Sequence, residues 1–279
     1  MRSTLSMSLL ATLLASPLAF AEARIERAFT ETFAVGDDAA LTIKNIWGDV
    51  TVVRGKPGEI RVEIEEDRRA FDQEALDYSL DVIPLRINQT GDAVSLIVGR
   101  PREQYEQQWP CEGCRAAYQF VATVPPDTHV TLRAVNDGEI IVRDIDGLVS
   151  AKNVNGPVTV EQLRQCDHIK SVNGEIYLGV PGRLPTDCAV ETVNGDIQVS
   201  VTRRSDFDVA LTQMNGRVYT QVDVQPIAID AAIETRQKGG RRHYKIRQPA
   251  GLRIGSGQGA TLNIESLNGD VSIEEEERS

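Results

Sequence analysis

The chain holds 279 residues, with 41 Asp and Glu against 30 Lys and Arg, for a formal net charge of −11. That acidic balance argues against nucleic acid or an anionic membrane surface as the main partner. No apolar run reaches the length needed to span a bilayer, which leaves an exported, water-soluble domain as the expectation.

At the N-terminus, Arg2 provides a positive start, Met7–Leu14 is apolar, and Ala19-Phe20-Ala21 forms a small-x-small site. These features predict a secretory signal peptide over 1–21, cut before Glu22, and a periplasmic or secreted mature protein. The mature chain, 22–279, reads as a single domain because no linker divides it.

Strand patterns begin at Leu41-Thr42-Ile43 and continue in Ile60–Ile64, Leu85–Ile87 and Val94–Val98. Residues 68–80 have ambiguous apolar spacing and read as either a short helix or an irregular loop. Residues 102–115 are polar, contain Trp109, Pro110 and the Cys111-x-x-Cys114 motif, and read as a surface excursion. A second excursion is expected near 226–248, with the basic cluster Lys238 to His243.

Seven copies of one short pattern are centred on Gly48, Gly138, Gly156, Gly174, Gly195, Gly216 and Gly269. Two residues after each glycine stand Val50, Ile140, Val158, Ile176, Ile197, Val218 and Val271. Four residues after it stand Val52, Val142, Val160, Leu178, Val199, Thr220 and Ile273, and the residues between are mostly polar or amphipathic. This period-two alternation predicts strands with one buried face. The spacing from Gly138 to Gly216 is 18, 18, 21 and 21 residues, with Asp146-Gly147 as a half-repeat. Each unit has room for two strands and two bends. One unit cannot bury its own apolar face, so copies must stack. The sequence therefore predicts an all-β solenoid with two strands per turn.

A meander of hairpins is the rival reading, because Asn-Gly also favours hairpin turns. The shared register of Asn155, Asn173, Asn194, Asn215 and Asn268 favours stacking, in which these side chains form a turn ladder. Cys166 and Cys188 lie eight and seven residues before their glycines. That places them on neighbouring rungs, where a disulfide is the default in an exported chain. Tyr177 and Tyr219 share an outward column and are a candidate binding face.

Three stretches carry a family resemblance: Leu41–Val52, Val124–Leu132 leading into the Gly138 repeats, and Ile254–Asp270. In their order and repetition they resemble the bacterial putative-adhesin family of exported proteins with short β-strand repeats. The resemblance implies a right-handed parallel β-helix-like fold and an envelope location. It brings no catalytic residues.

The chemical motifs are sparse. Cys111 and Cys114 read first as a loop-tying disulfide, with redox or metal binding as alternatives. Gly255-x-Gly257-x-Gly259 lacks the Lys-Ser/Thr of a phosphate loop and precedes a strand, so it reads as a turn. Asp144, Asp146, Asp196 and Asp270 lack the calcium nonapeptide context. No catalytic constellation, metal or cofactor is expected. The first functional reading is a non-catalytic binding or scaffolding protein of the cell envelope, whose partner is an envelope protein or glycan. The alternatives are a β-helix enzyme acting on extracellular polysaccharide and a thiol- or metal-linked envelope sensor.

Overall fold

The structure is a computed structural model describing residues 22–99, 111, 113–229, 232–238, 241–247 and 249–276. The expected leader at 1–21 lies outside the described residues, as do Trp109, Pro110, Gly239 and Gly240.

In chain order, β1 (Ala23–Ala34), β2 (Ala40–Lys44), β3 (Val50–Arg54) and β4 (Glu59–Ala70) precede α1 (Gln73–Val82). Next come β5 (Leu85–Thr90), β6 (Ala93–Val98), β7 (Arg115–Val124), β8 (His129–Arg133) and β9 (Ile140–Arg143). The central strands are β10 (Leu148–Asn155), β11 (Val158–Glu161), β12 (Gln165–Asn173), β13 (Ile176–Val180), β14 (Cys188–Asn194) and β15 (Ile197–Val201). The chain continues through β16 (Phe207–Asn215), β17 (Val218–Thr220), β18 (Gln225–Ile227), β19 (Ala232–Lys238) and β20 (Arg241–Arg247). It ends with β21 (Ala250–Ile254), β22 (Thr261–Asn268) and β23 (Val271–Glu275).

The fold is all-β, built on two large mixed sheets. One sheet has ten strands in the order β1-β4-β7-β3-β9-β11-β13-β15-β23-β17, and the other has eleven in the order β18-β21-β16-β22-β14-β12-β10-β8-β2-β6-β5. From β8 to β15, successive strands fall alternately in the two sheets, and all their pairings are parallel. The second excursion contains an antiparallel pair, β19 with β20. Antiparallel strands close three of the four sheet ends, the fourth being β17, which pairs in parallel with β23. The antiparallel ones are β1 and β4 beside β7, β5 beside β6, and β21 between β16 and β18.

The core lies between the sheets. Val50, Ile140, Val158, Ile176, Ile197 and Val271 are buried, as are Val52, Val142, Val160, Leu178, Val199 and Ile273. Each fully buried aliphatic side chain of this kind contributes about 1.5–3 kcal/mol. Val218 departs from its column and is exposed because β17 is the last strand of its sheet. The seventh sequence copy also stacks out of order, since β22 and β23 enter between the Gly195 and Gly216 copies.

The turn glycines are required by stacking. A methyl group on Gly156 would strike the Gly138 carbonyl, and one on Gly174 would strike the Gly156 carbonyl. Neither residue has a positive φ. The glycine is there because the backbone of the neighbouring rung passes where a side chain would sit.

Residues 68–80, ambiguous in sequence, divide between two elements. β4 runs on to Ala70, and a helix follows. Asp72 caps that helix through its side chain, which accepts a hydrogen bond from the Ala75 amide at 2.8 Å. The helix stops at Ile83, just before Pro84, where a proline cannot continue it. Leu76, Ser79 and Val82 form its buried face against β4 and β1.

Candidate functional site

The repeated corner before each glycine is built from three rows. The inner row is polar, with Asn45, Asn153 and Ser171 buried and Gln213 partly so, and it satisfies turn carbonyls that would otherwise be orphaned. Asn153 Nδ2 donates to Gly138 O at 2.7 Å and Ser171 Oγ to Gly156 O at 2.9 Å. Asn45 Nδ2 donates to Gly48 O at 2.9 Å, and Gln213 Nε2 to Gly269 O at 2.7 Å.

The second row is the asparagine column. Asn173 Nδ2 donates to Asn155 Oδ1 at 2.8 Å, and Asn194 Nδ2 to Asn173 Oδ1 at 2.8 Å. Asn268 donates to Asn194 and Asn215 to Asn268, both at 2.9 Å. Asn136, which the repeat alignment does not single out, extends the chain by accepting from Asn155 at 3.2 Å.

The third row holds the acidic residues that follow the glycines. Asp49 Oδ1 accepts from the Glu139 amide, Asp196 Oδ1 from the Asp270 amide, and Asp270 Oδ1 from the Arg217 amide, at 2.7–2.8 Å. These carboxylates tie adjacent rungs together. Asp146 pairs with Arg54 at 2.6 Å, and Asp144 carries a positive φ of 56° in a bend. No group of three His, Cys, Asp or Glu side chains arranged to hold a metal occurs among the described residues.

Both cysteine pairs form disulfides. Cys166–Cys188 joins the adjacent strands β12 and β14 at a Cα separation of 5.2 Å, and Cys111–Cys114 closes its own loop at 5.4 Å. Cys166 and Cys188 face inward and are buried. A register shift in β12 between Cys166 and His168 accounts for the extra residue in its spacing. Cys111 and Cys114 lie against the Ala75 carbonyl of α1. Disulfides of this kind fit an oxidising, extracytoplasmic compartment. No helix among the described residues is long and apolar enough to cross a membrane.

Tyr177 and Tyr219 lie in one outward row of the ten-stranded sheet but not side by side. Gln198 on β15 and Ser272 on β23 stand between them. Three strand spacings of about 4.8 Å separate the rings by roughly 14 Å.

Two charged features are built on internal ion pairs. A surface groove of about 670 Å³ over β1, β4 and β7 is lined by Arg24, Arg69, Glu26 and Asp67 among others. Several of its charges pair with one another: Arg24 and Arg69 both grip Asp67, and Arg24 also meets Glu26. The two guanidiniums hold the Asp67 carboxyl far below the usual carboxylate range, through hydrogen bonds from Arg69 and then Arg24. Beneath α1, the buried Arg68 donates to Glu66 at 2.7 Å, to Ser79 O at 2.6 Å and Ser79 Oγ at 3.1 Å, and to Ile83 O and Tyr118 OH at 2.9 Å. Tyr118 OH in turn donates to Glu66 at 3.0 Å. Burial pushes the Tyr118 phenol up to about 12. This network pins the helix to the sheet.

The glycine-rich turn at 255–259 is filled by the chain itself. The Asp206 carboxylate accepts from the Gly257 amide at 2.8 Å, the Gln258 amide at 3.3 Å and Ser256 Oγ at 2.8 Å. Burial raises its pKa, but these donors together lower it by more, and the net direction is down. A free phosphate would have to displace that carboxylate.

The outward row just before the asparagines lies outside the alternation that follows each glycine. It is apolar: Val135, just beyond the end of β8, is followed by Val154, Val172, Val193, Leu267 and Met214 on β10, β12, β14, β22 and β16. All are at least partly exposed, Met214 most at 70%. The signal was present in the repeats as Asn-Val-Asn-Gly, Ser-Val-Asn-Gly, Thr-Val-Asn-Gly, Gln-Met-Asn-Gly and Ser-Leu-Asn-Gly. A period-two reading taken forward from the glycine misses it.

No protein-family model matches the chain, and no curated protein does. Solved structures with likeness to it include a putative cell adhesion protein from Clostridium sporogenes, 11% identical with a TM-score of 0.47, which covers 90% of this chain and 100% of its own. A putative adhesin from Bacteroides fragilis is 11% identical with a TM-score of 0.37, covering 88% and 97%. A putative lipid binding protein from Parabacteroides distasonis is 10% identical with a TM-score of 0.27, covering 90% and 97%. Two of these three bear the adhesin or cell-adhesion name of the family that the sequence resembles.

Proposed function

We propose that this chain is a non-catalytic, adhesin-like binding or scaffolding protein of the bacterial cell envelope. In this reading, residues 1–21 are a cleaved leader and 22–279 form one domain. That domain is a solenoid with two strands per turn, located in the periplasm or secreted. The alternation of successive parallel strands between two sheets supports the solenoid.

The observation that carries the binding role is the outward row Val135 to Met214, an apolar stripe running across five adjacent strands and the segment that follows β8. Exposed apolar side chains in a contiguous line mark contact surfaces, whereas scattered ones do not. The side chains stand on a hydrogen-bonded ladder, so little order has to be gained on binding.

The test is retention of the purified mature chain on isolated cell envelopes, compared with a Val154→Lys/Val172→Lys variant of unchanged circular dichroism. Retention of the parent and loss in the variant is the expected result. Equal retention of both, or point-mutable cleavage of an envelope polymer, would refute this reading.

A further inference from the structure

On the eleven-stranded sheet, the row next to the apolar stripe is basic. Lys44 on β2, Arg133 on β8, Lys152 on β10 and Lys170 on β12 are direct cross-strand neighbours. Like charges placed opposite one another on adjacent strands are destabilising, and this chain has a large acidic surplus. Lys170 is neutralised by Glu191 at 2.6 Å; burial raises the Glu191 pKa, but the contacts from Lys170 and His168 together outweigh it and the net direction is down. Lys44, Arg133 and Lys152 are exposed and have no ion pair among the described residues. Glu191 and Glu265 continue the row beyond Lys170 and set its limit.

The rows on either side complete a pattern. Thr42, Thr131 and Ser150 form a hydroxyl row two residues back along the same strands. Val135, Val154 and Val172 lie two residues forward. The surface therefore presents hydroxyls, then cations, then apolar groups, in rows about 7 Å apart and repeated about every 4.8 Å from strand to strand.

We propose that this face binds an acidic polysaccharide laid along the stacking direction. The inference rests on the envelope-binding reading and specifies its ligand. A uronic-acid polymer presents three matching chemistries in repeating order: carboxylates, hydroxyls and the apolar C–H faces of its sugar rings. Carboxylates meet Lys44, Arg133 and Lys152. Hydroxyls exchange hydrogen bonds with the Thr/Ser row. Ring faces pack on the valines. A lipid surface would leave the hydroxyl row unmatched, and a second copy of this chain would bring its own cations against the same row.

The experiment uses the full mature chain and polygalacturonate as the probe, with neutral dextran as the comparison, measured by isothermal titration calorimetry at low and high salt. The proposal expects polygalacturonate binding that weakens with salt, as surface charge pairing is screened, and no binding to dextran. Arg133→Glu/Lys152→Glu should lower affinity at least about tenfold, since two attractive contacts become repulsive. Arg61→Glu/Arg143→Glu, an equal charge change on the other sheet, should stay within about twofold of the parent. Absence of polygalacturonate binding, or equal losses in both variants, overturns the proposal. So does preferential binding to phosphatidylglycerol vesicles, or a dimer in sedimentation that Arg133→Glu/Lys152→Glu dissociates. Envelope retention that survives Arg133→Glu/Lys152→Glu refutes the polysaccharide row while leaving the binding role intact, so the two failures are distinguishable.

Discussion

Replacing Arg68 by methionine would test whether the buried charge network holds the helix end of the stack together. Methionine keeps much of the aliphatic volume but removes all five donated hydrogen bonds. The consequences differ among the acceptors. Ser79 O retains its bond from the Ile83 amide at 2.9 Å, and Glu66 retains the Tyr118 hydroxyl at 3.0 Å. Ile83 O loses its Arg68 donor, and the Glu66 carboxylate, 5% exposed, is left 4.0 Å from Arg27 as its nearest cation. Stranding one member of a buried ion pair costs about 3–5 kcal/mol, and an orphaned buried carbonyl adds about 1–3 kcal/mol. For a domain of this size, even the lower figure corresponds to a fall in Tm of roughly 6–12 °C. Urea unfolding followed by circular dichroism gives the free energy directly, provided the transition is two-state. The Glu66→Gln/Arg68→Met double variant should recover about 2 kcal/mol or more relative to the sum of the singles, because the two groups share one network. A loss below about 1 kcal/mol for Arg68→Met, or strict additivity in the cycle, would refute the reasoning.

Other expectations follow from the same structure. Replacing Cys166 and Cys188 by alanine should cost about 3 kcal/mol in cross-link entropy, since the bond closes a separation of 22 residues. The Cys111/Cys114 double variant, whose bond spans only 3 residues, should lose less, and the denaturation midpoints of the two variants report that difference. Gly156→Ala should destabilise the fold or prevent folding, because the new methyl meets the Gly138 carbonyl of the next rung; soluble yield and thermal midpoint are the readouts. Asp67 has a folded pKa below its unfolded value, so its contribution is present above about pH 4 and lost as pH falls through the lowered folded value. Asp67→Asn should therefore make the acid side of the stability profile less steep, and an unchanged profile would count against the Arg24–Asp67–Arg69 arrangement. Asn194→Ala removes two exposed ladder bonds and should cost no more than about 1 kcal/mol each, measured by urea titration.

Much of the architecture was legible in the residues because period-two burial leaves a direct trace. Val158 and Val160, or Ile197 and Val199, announce a strand with one buried face wherever they occur. The disulfide between Cys166 and Cys188 was legible for a related reason, since a fixed register converts sequence offset into spatial adjacency. The helix at Gln73–Val82 was less so, because only Leu76, Ser79 and Val82 of it are buried and a polar serine interrupts the stripe. Its position depends on Arg68, which sits on the strand β4 and bonds Ser79 and Ile83 across the chain.

The order of stacking and the content of the outer faces arise from long-range packing. Nothing local in Asn268-Gly269 distinguishes it from Asn215-Gly216, so the sequence could not place the last copy between the Gly195 and Gly216 rungs. Rung order is a property of which surfaces meet, and similar rungs offer similar surfaces. The basic row is hidden in sequence for the same reason: Lys44, Arg133 and Lys152 are far apart along the chain and become neighbours through parallel pairing in register. Local alternation of side chains was determined by the sequence alone, because it requires only that each strand know its two faces. The surface that a partner meets was determined by the fold, because it is assembled one residue per strand.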